Sequence, residues 1–212
     1  VVHGSADPGL STLSVGFDDA APVVVDLAAQ SLSPAVDVPA GTHHASISGV
    51  ASVETGERPV VFTSDVELGP GAHPLLVVIG EPTSTPALAA LLLDEDASGT
   101  STRVRVVHGL VGVDAIDVCV GGAPLAAALA PGGVSSSAPA SAGAASVELR
   151  ATGATPCSGR SLGVAHVTLA EGRPTLLVLE GRAARRGRMT AHVIACTEGP
   201  DAACTTVATG AR

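Results

Sequence analysis

Val1-Val2-His3-Gly4 returns as Val106-Val107-His108-Gly109, and the stretches after the first copy return after the second in the same order. Pro39-Ala40-Gly41-Thr42, leading into Ala45-Ser46-Ile47, corresponds to Ser141-Ala142-Gly143-Ala144, leading into Ser146-Val147-Glu148-Leu149. Leu68-Gly69-Pro70-Gly71 before Leu75-Leu76-Val77-Val78 corresponds to Leu169-Ala170-Glu171-Gly172 before Leu176-Leu177-Val178-Leu179. An ordered set of matches at one nearly constant offset marks two copies of one module. The polar stretch from Asp94 to Thr102 is of the kind that joins domains. The boundaries expected are a first repeat over residues 1–96, a linker over 97–102, a second repeat over 103–197 and a C-terminal tail over 198–212.

Within each copy the apolar residues recur with period two. Leu13, Val15 and Phe17 alternate with Thr12, Ser14 and Gly16, and Ile116, Val118 and Val120 alternate with Asp117 and Cys119. Gly and Pro punctuate the chain too closely for ordinary helices, as in Gly69-Pro70-Gly71 and Pro131-Gly132-Gly133. Ala87 to Leu93 has helical propensity, but its counterpart Met189 to Cys196 carries Thr, Val and Ile, so both are read as strands. Seven or eight short antiparallel strands in each copy predict an all-β protein of two tandem, separate immunoglobulin-like β-sandwich domains. With 46% hydrophobic residues, no Trp or Tyr and only Phe17 and Phe62, the cores must be aliphatic. The longest apolar runs, such as Leu75 to Ile79, are far short of the roughly 20 residues of a spanning helix, so no transmembrane segment is expected.

Arg103-Val104-Arg105-Val106-Val107-His108-Gly109, followed by Asp114-Ala115-Ile116-Asp117-Val118-Cys119-Val120-Gly121-Gly122, resembles the opening of the domain of unknown function 4397 family. The first copy departs from that pattern where Leu10-Ser11-Thr12-Leu13 replaces an Asp-rich entry to the second strand. The resemblance implies a secreted or envelope-attached bacterial protein of β-sandwich type, in tandem, and supplies no catalytic residues.

Four cysteines, Cys119, Cys157, Cys196 and Cys204, lie in the second half of the chain without the close pairs of a zinc site. They are read as disulfides, which favours an oxidising compartment. The pairing expected is Cys119 with Cys157, across a flexible loop, and Cys196 with Cys204, across a polar turn. The chain opens without Met on a residue already in strand pattern, so an upstream stretch is expected to have been removed or left out; a cleaved export signal would suit it. The location expected is secreted, extracellular or in a bacterial cell envelope.

A net charge of −9 argues against nucleic acid as a partner. The charge is uneven: residues 1–100 hold 13 Asp and Glu against one Arg, a balance of −12, and residues 101–212 hold 7 against 10, a balance of +3. Arg182, Arg185, Arg186 and Arg188 cluster in one turn of the second copy and form a candidate interaction patch. The expected function is a non-catalytic extracellular or cell-surface structural or interaction protein, with protein partners that include head-to-tail contact between the acidic and basic halves of neighbouring molecules, as in a filament, surface layer or adhesion module. The alternative is a module that binds a polyanion or a protein ligand through the arginines.

Chemistry is expected to be absent. Gly159-Arg160-Ser161-Leu162-Gly163 fits the nucleophile-elbow pattern, but a period-two strand follows it where a hydrolase needs a helix. His43 and His44 are adjacent on a strand and point to opposite faces, so they do not chelate one ion. His3 and His108 hold equivalent repeat positions and are read as local hydrogen-bonding residues. Asp94-Glu95-Asp96 lacks the spacing of a calcium loop and is read as solvated linker. No cofactor, metal site or catalytic residue is expected.

Overall fold

The computed structural model describes residues 1–94, 101–183, 189–199 and 201–210. In the first half, β1 (Val2–Gly4), β2 (Thr12–Phe17), β3 (Val24–Ala28), β4 (Gly41–Ser48), β5 (Val60–Leu68), β6 (Leu75–Ile79) and β7 (Ala89–Leu93) form two sheets. Their orders are β3-β2-β4-β5 and β1-β6-β7. In the second half the strands are β8 (Arg103–His108), β9 (Ile116–Val120), β10 (Ala123–Leu129), β11 (Ala138–Pro139), β12 (Gly143–Ala151), β13 (Ser161–Leu169), β14 (Pro174–Ala183), β15 (Met189–Thr197) and β16 (Cys204–Ala208). They order as β10-β9-β12-β13 and β11-β8-β14-β15-β16. With β11 and β16 set aside, the second half repeats the strand order of the first. The fold is all-β and sandwich-like.

Each half closes its own core between its two sheets. Leu13, Val15 and Ile47 meet Leu76 and Val78 in the first half. Val104, Val106, Leu177, Leu179 and Val193 meet Val118, Val147, Leu149 and Val167 in the second. The alternating residues of β2 and β9 therefore do what period two implies in sending the aliphatic residues to the core, while Ser14, Asp117 and Cys119 on the other face are buried as well, beneath the loops that cover it.

A third core lies between the halves. Val2, Val77 and Ile79 pack against Val107, Leu176, Val178 and Ile194. Alternate residues of β6 and β14 thus face opposite cores, and both strands are buried on two sides. The four sheets stack in one pile, with the β1 and β8 sheets as its middle layers. Contact at this seam is close enough to need glycine. A Cβ on Gly4 would stand 2.7 Å from Val178 Cγ1, and one on Gly109 would stand 2.8 Å from the Leu179 carbonyl oxygen and 3.0 Å from Ile79 Cγ2.

Three expectations are corrected. The halves, each with its own core, do not stand apart, because apolar faces on both are more cheaply buried against each other than left in water. The pairing is not wholly antiparallel: β1 runs parallel to β6 and β8 parallel to β14. The chain leaves the sheet after its first strand, builds the other sheet and returns, which is a crossover rather than a hairpin. Among the described residues the first half holds seven strands and residues 103–197 hold eight. Residues 198–212, read as a tail, include β16, which pairs with β15 from His192–Ala208 to Cys196–Cys204. Of the linker, residues 97–100 lie outside the described residues.

Candidate functional site

Three buried glutamates, Glu81, Glu180 and Glu198, lie along the seam. Glu81, on the first half, accepts from Arg182 of the second through Oε1 and from Ser84 Oγ at 2.9 Å through Oε2. At another point Arg105 grips Glu198 with both Nε and Nη2, at 2.8 and 2.7 Å, and donates through Nη2 to the Asp94 carbonyl at 2.6 Å. Glu198 is 2% exposed, so this pair is shielded from solvent screening. Between them Glu180 Oε2 receives Gln30 Nε2 at 2.9 Å and meets His192 Nδ1 at 3.0 Å. Burial pushes the Glu180 carboxyl above its ordinary range, and the His192 ring and the Gln30 amide pull the other way. Thr206 Oγ, from β16, donates to the Gln30 carbonyl at 2.9 Å and fixes the loop that carries the amide.

These contacts change the reading of the arginine patch. Arg182, its side chain half-exposed, forms an ion pair with Glu81 of its own chain, across the two halves. Arg185, Arg186 and Arg188 lie outside the described residues. Of the acidic run, exposed Asp94 accepts from Arg105 through its backbone carbonyl; Glu95 and Asp96 lie outside the described residues.

The cysteines form two cross-links, Cys119–Cys157 and Cys196–Cys204. The second joins directly opposed residues of β15 and β16 and pins the outermost strand. The first ties β9 to the loop before β13, and Asp117 sets it up. Its carboxylate, 1% exposed, accepts from Cys157 N at 3.0 Å through Oδ2 and from Ala128 N at 2.9 Å through Oδ1. Both donors hold positive φ, 65° at Cys157 and 48° at Ala128, conformations that L-residues adopt only when their surroundings enforce them. In the first half Ser14 takes this place, its Oγ accepting at 3.2 Å from the N–H of Asp26, where φ is 52°. Cys119 shares the face of Asp117 and, although it points away from the second-half core, it is buried under that loop.

Residues 102–208 match the model of the family described as domain of unknown function (DUF4397). The chain belongs to that family. No curated protein matches it. The DUF4397 match takes in β8 to β16, both disulfides, Asp117 and the second-half side of the seam.

The two repeated histidines, one inside the DUF4397 segment and one outside it, are held in the same way. His108 Nδ1 accepts from Leu110 N at 3.3 Å and Nε2 reaches the Asp114 carbonyl at 3.1 Å; His3 Nδ1 accepts from Ser5 N at 3.4 Å and Nε2 reaches the Leu10 carbonyl at 2.6 Å. An N–H facing one nitrogen and a carbonyl facing the other select the neutral ring with its proton on Nε2. Burial holds both rings below the ordinary imidazole range, against the pull of those carbonyls. Each ring pins the loop that leaves its strand.

His43 and His44 diverge. His43 Nδ1 meets Asp18 Oδ2 at 2.6 Å and its Nε2 meets the Pro39 carbonyl at 2.8 Å, while His44 Nδ1 meets Asp65 Oδ1 at 2.9 Å. These partners raise both rings, through Asp18 for His43 and Asp65 for His44. No group of three or more His, Cys, Asp or Glu among the described residues is arranged to hold a metal. Ser161 opens β13 with its Oγ buried and without a hydrogen-bond partner, and His166 is exposed five residues along the same strand, beyond a register shift that falls between Ser161 and Gly163. The elbow pattern places serine and histidine apart. Among the described residues no helix is long and apolar enough to cross a membrane.

Proposed function

We propose that the chain is a non-catalytic structural or interaction module acting outside the cytoplasm, built from two tandem DUF4397-type copies of immunoglobulin-like topology, of which residues 1–94 supply the more divergent one. The observation that carries the reading is the continuous stack of four sheets, tied across the halves by the shared apolar core and the Arg182–Glu81 ion pair and covalently clipped within the second half at Cys119–Cys157 and Cys196–Cys204. A body of this kind offers a rigid surface rather than a moving active site. Its cross-links suit an oxidising compartment, such as the exterior or envelope of a bacterium. The partner is a protein, and nucleic acid is disfavoured by the net charge. Of the arginines on which the polyanion alternative rests, Arg182 is paired with Glu81.

Two measurements test the proposal. Hydrolysis of simple ester substrates is expected not to differ between the protein and its Ser161→Ala variant, and thiol titration of exported protein is expected to find no free cysteine. Turnover that depends on Ser161, or four titratable thiols, overturns it.

A further inference from the structure

The halves differ at one edge of their middle sheets. In the second half β15 lies between β14 and β16, whereas its first-half counterpart, β7, pairs only with β6 among the described residues. Leu75 and Leu176 are equivalent repeat positions and pair with Leu93 and Cys196, so Ala90 to Leu93 stand where Val193 to Cys196 stand. Those four residues of β15 are buried, and all four of β7 are half-exposed. The chain passes from β7 to β8 in nine residues, 94–102, too few to repeat the turn and strand made by the eleven residues 198–208.

The open side of β7 presents main-chain groups. Thr197 N–H donates to the Ala203 carbonyl, and the Ala191 carbonyl accepts from Thr209 N–H, both at 2.9 Å, so the alternate residues Val193 and Ala195 also turn their N–H and C=O groups to β16. Ala90 and Leu92, their counterparts, turn theirs outward. Edges elsewhere are blunted: β5 carries Asp65 and Glu67, β10 has two register shifts, and β11 is two residues long with Pro139. In contrast, β7 pairs without a register shift, and Ala89–Leu93 holds neither charge nor proline.

We propose that the outer edge of β7 is the docking site for an extended segment of a partner protein, which adds to it as an antiparallel strand in the place that β16 takes on β15. The proposal rests on the interaction-module reading and gives it a site. The body of the occupant takes its chemistry from β16, where Cys204 to Ala208 is uncharged and built of short side chains. Charge sets its leading end. Residues 1–100 balance −12, and exposed Asp94 follows β7 directly. Antiparallel pairing lays the residue ahead of the inserted strand beside Asp94, so basic residues there are drawn in, whereas the β7 edge of a second copy, from an equally acidic half, is repelled. Main-chain hydrogen bonds supply affinity, and the half-exposed leucines supply apolar contact.

The test uses the disulfide-intact 212-residue chain and a dye-labelled, end-blocked peptide, Arg-Arg-Val-Thr-Thr-Val-Ala, read by fluorescence polarisation; its last four residues copy Thr205 to Ala208, and its first Val stands for Cys204. Binding is expected. N-methylation at the positions of Thr205 and Val207, whose N–H groups would meet β7 as they meet β15, is expected to weaken it by about tenfold or more, whereas N-methylation at the position of Thr206, whose N–H points away, changes it by less than about threefold. Replacing both arginines by glutamate is expected to weaken binding by about tenfold or more. In the chain, Ala90→Pro removes an N–H directed away from β6, where an edge strand tolerates proline, and is expected to abolish binding. The two N-methylated peptides are compared on the parent chain, so they decide the matter if Ala90→Pro misfolds. No binding at millimolar peptide, equal binding of the two N-methylated peptides, or equal binding of the Arg and Glu peptides would each overturn the proposal. A dimer of the parent chain in sedimentation that a folded Ala90→Pro variant does not form would also overturn it, by giving the edge to a second copy. None of these outcomes bears on the thiol and turnover measurements that decide the broader reading.

Discussion

Gly4→Ala tests how tightly the two halves are apposed. The added methyl would stand 2.7 Å from Val178 Cγ1, with its next neighbours, the Val78 carbonyl oxygen and Ile79 Cγ2, at 3.3 and 3.6 Å. Carbon atoms rest about 3.5 to 4.0 Å apart, so the overlap falls on one methyl of a fully buried, β-branched side chain with little rotamer freedom. Overpacking of this kind costs about 1 to 3 kcal/mol, against which the alanine recovers about 0.4 to 1 kcal/mol by restricting the unfolded chain. A net loss of about 1 to 2 kcal/mol is expected. Val178→Ala alone removes two buried methyls, about 1.6 kcal/mol of transfer free energy at about 0.8 each, and the cavity left raises the loss to about 2 to 3 kcal/mol. Together the substitutions place one methyl near the space the other vacates. The double variant is then expected to lose about 1 to 2 kcal/mol less than the sum of the singles. Urea unfolding followed by far-ultraviolet circular dichroism measures the cycle, since a chain without Trp or Tyr gives little fluorescence signal. A double variant additive to within about 0.5 kcal/mol would refute the packing described for the seam.

Gly109→Ala behaves differently, because its Cβ would meet the Leu179 carbonyl oxygen; Ile79→Ala, which removes the Cγ2 contact and leaves that carbonyl in place, is expected to recover little of the loss when the double variant is compared with Ile79→Ala alone by urea unfolding. Asp117→Ala strands the N–H groups of Cys157 and Ala128, an expected cost of about 2 to 4 kcal/mol, with faster reduction of Cys119–Cys157 by dithiothreitol as the readout. Arg105→Leu removes the bidentate partner of buried Glu198 and is expected to lower stability by about 3 to 5 kcal/mol, whereas Arg58→Leu, on the exposed Asp26 pair, costs less than about 1 kcal/mol by the same unfolding assay. His3 and His108 sit below the imidazole value of 6.5, so below that pH the unfolded chain takes up protons that the folded chain refuses, and stability is lost as the pH falls from there towards the folded values. His43 and His44, raised by their carboxylates, act in the opposite sense: their contribution is present below 6.5 and is lost as the pH rises through their folded values. Unfolding midpoints taken across this range for His108→Gln are expected to fall less steeply on the acid side than those of the parent chain.

The strands were legible because their signals are local. Period two in Thr12 to Phe17 and Ile116 to Val120, and turn glycines such as Gly71 and Gly172, mark each strand without reference to its neighbours. The seam was not read, although a trace of it is present: Leu75 to Ile79 and Leu176 to Leu179 are unbroken apolar runs rather than alternating ones, the mark of a strand covered on both faces. The glycine of the Val-Val-His-Gly repeat carried a second trace, since a close approach of main chains asks for it. Charge gives less, because a count of −12 against +3 says that acid and base attract but not whether they meet within one chain or between two. Glu180, closing an apolar strand, signalled a buried partner, but Gln30 is 150 residues away in sequence, and no spacing rule links the two. β16 escaped because Cys204-Thr205-Thr206-Val207-Ala208 carries one aliphatic residue of any size, and its place is fixed by β15 and a disulfide rather than by its own pattern.

Because β6 and β14 each serve two cores, the repeats are not beads that can be traded singly between proteins. A fragment ending in the residues between Asp94 and Arg103 would present Val77 and Ile79 to water, and its complement would present Leu176, Val178 and Ile194. Exposed apolar sheet faces of that kind promote aggregation. The unit that recombination can move, or that expression can yield in soluble form, is therefore the pair. After duplication, a change on one side of the shared layer had to be tolerated by the other, so the halves were free to drift on their outer sheets and constrained together at their inner ones.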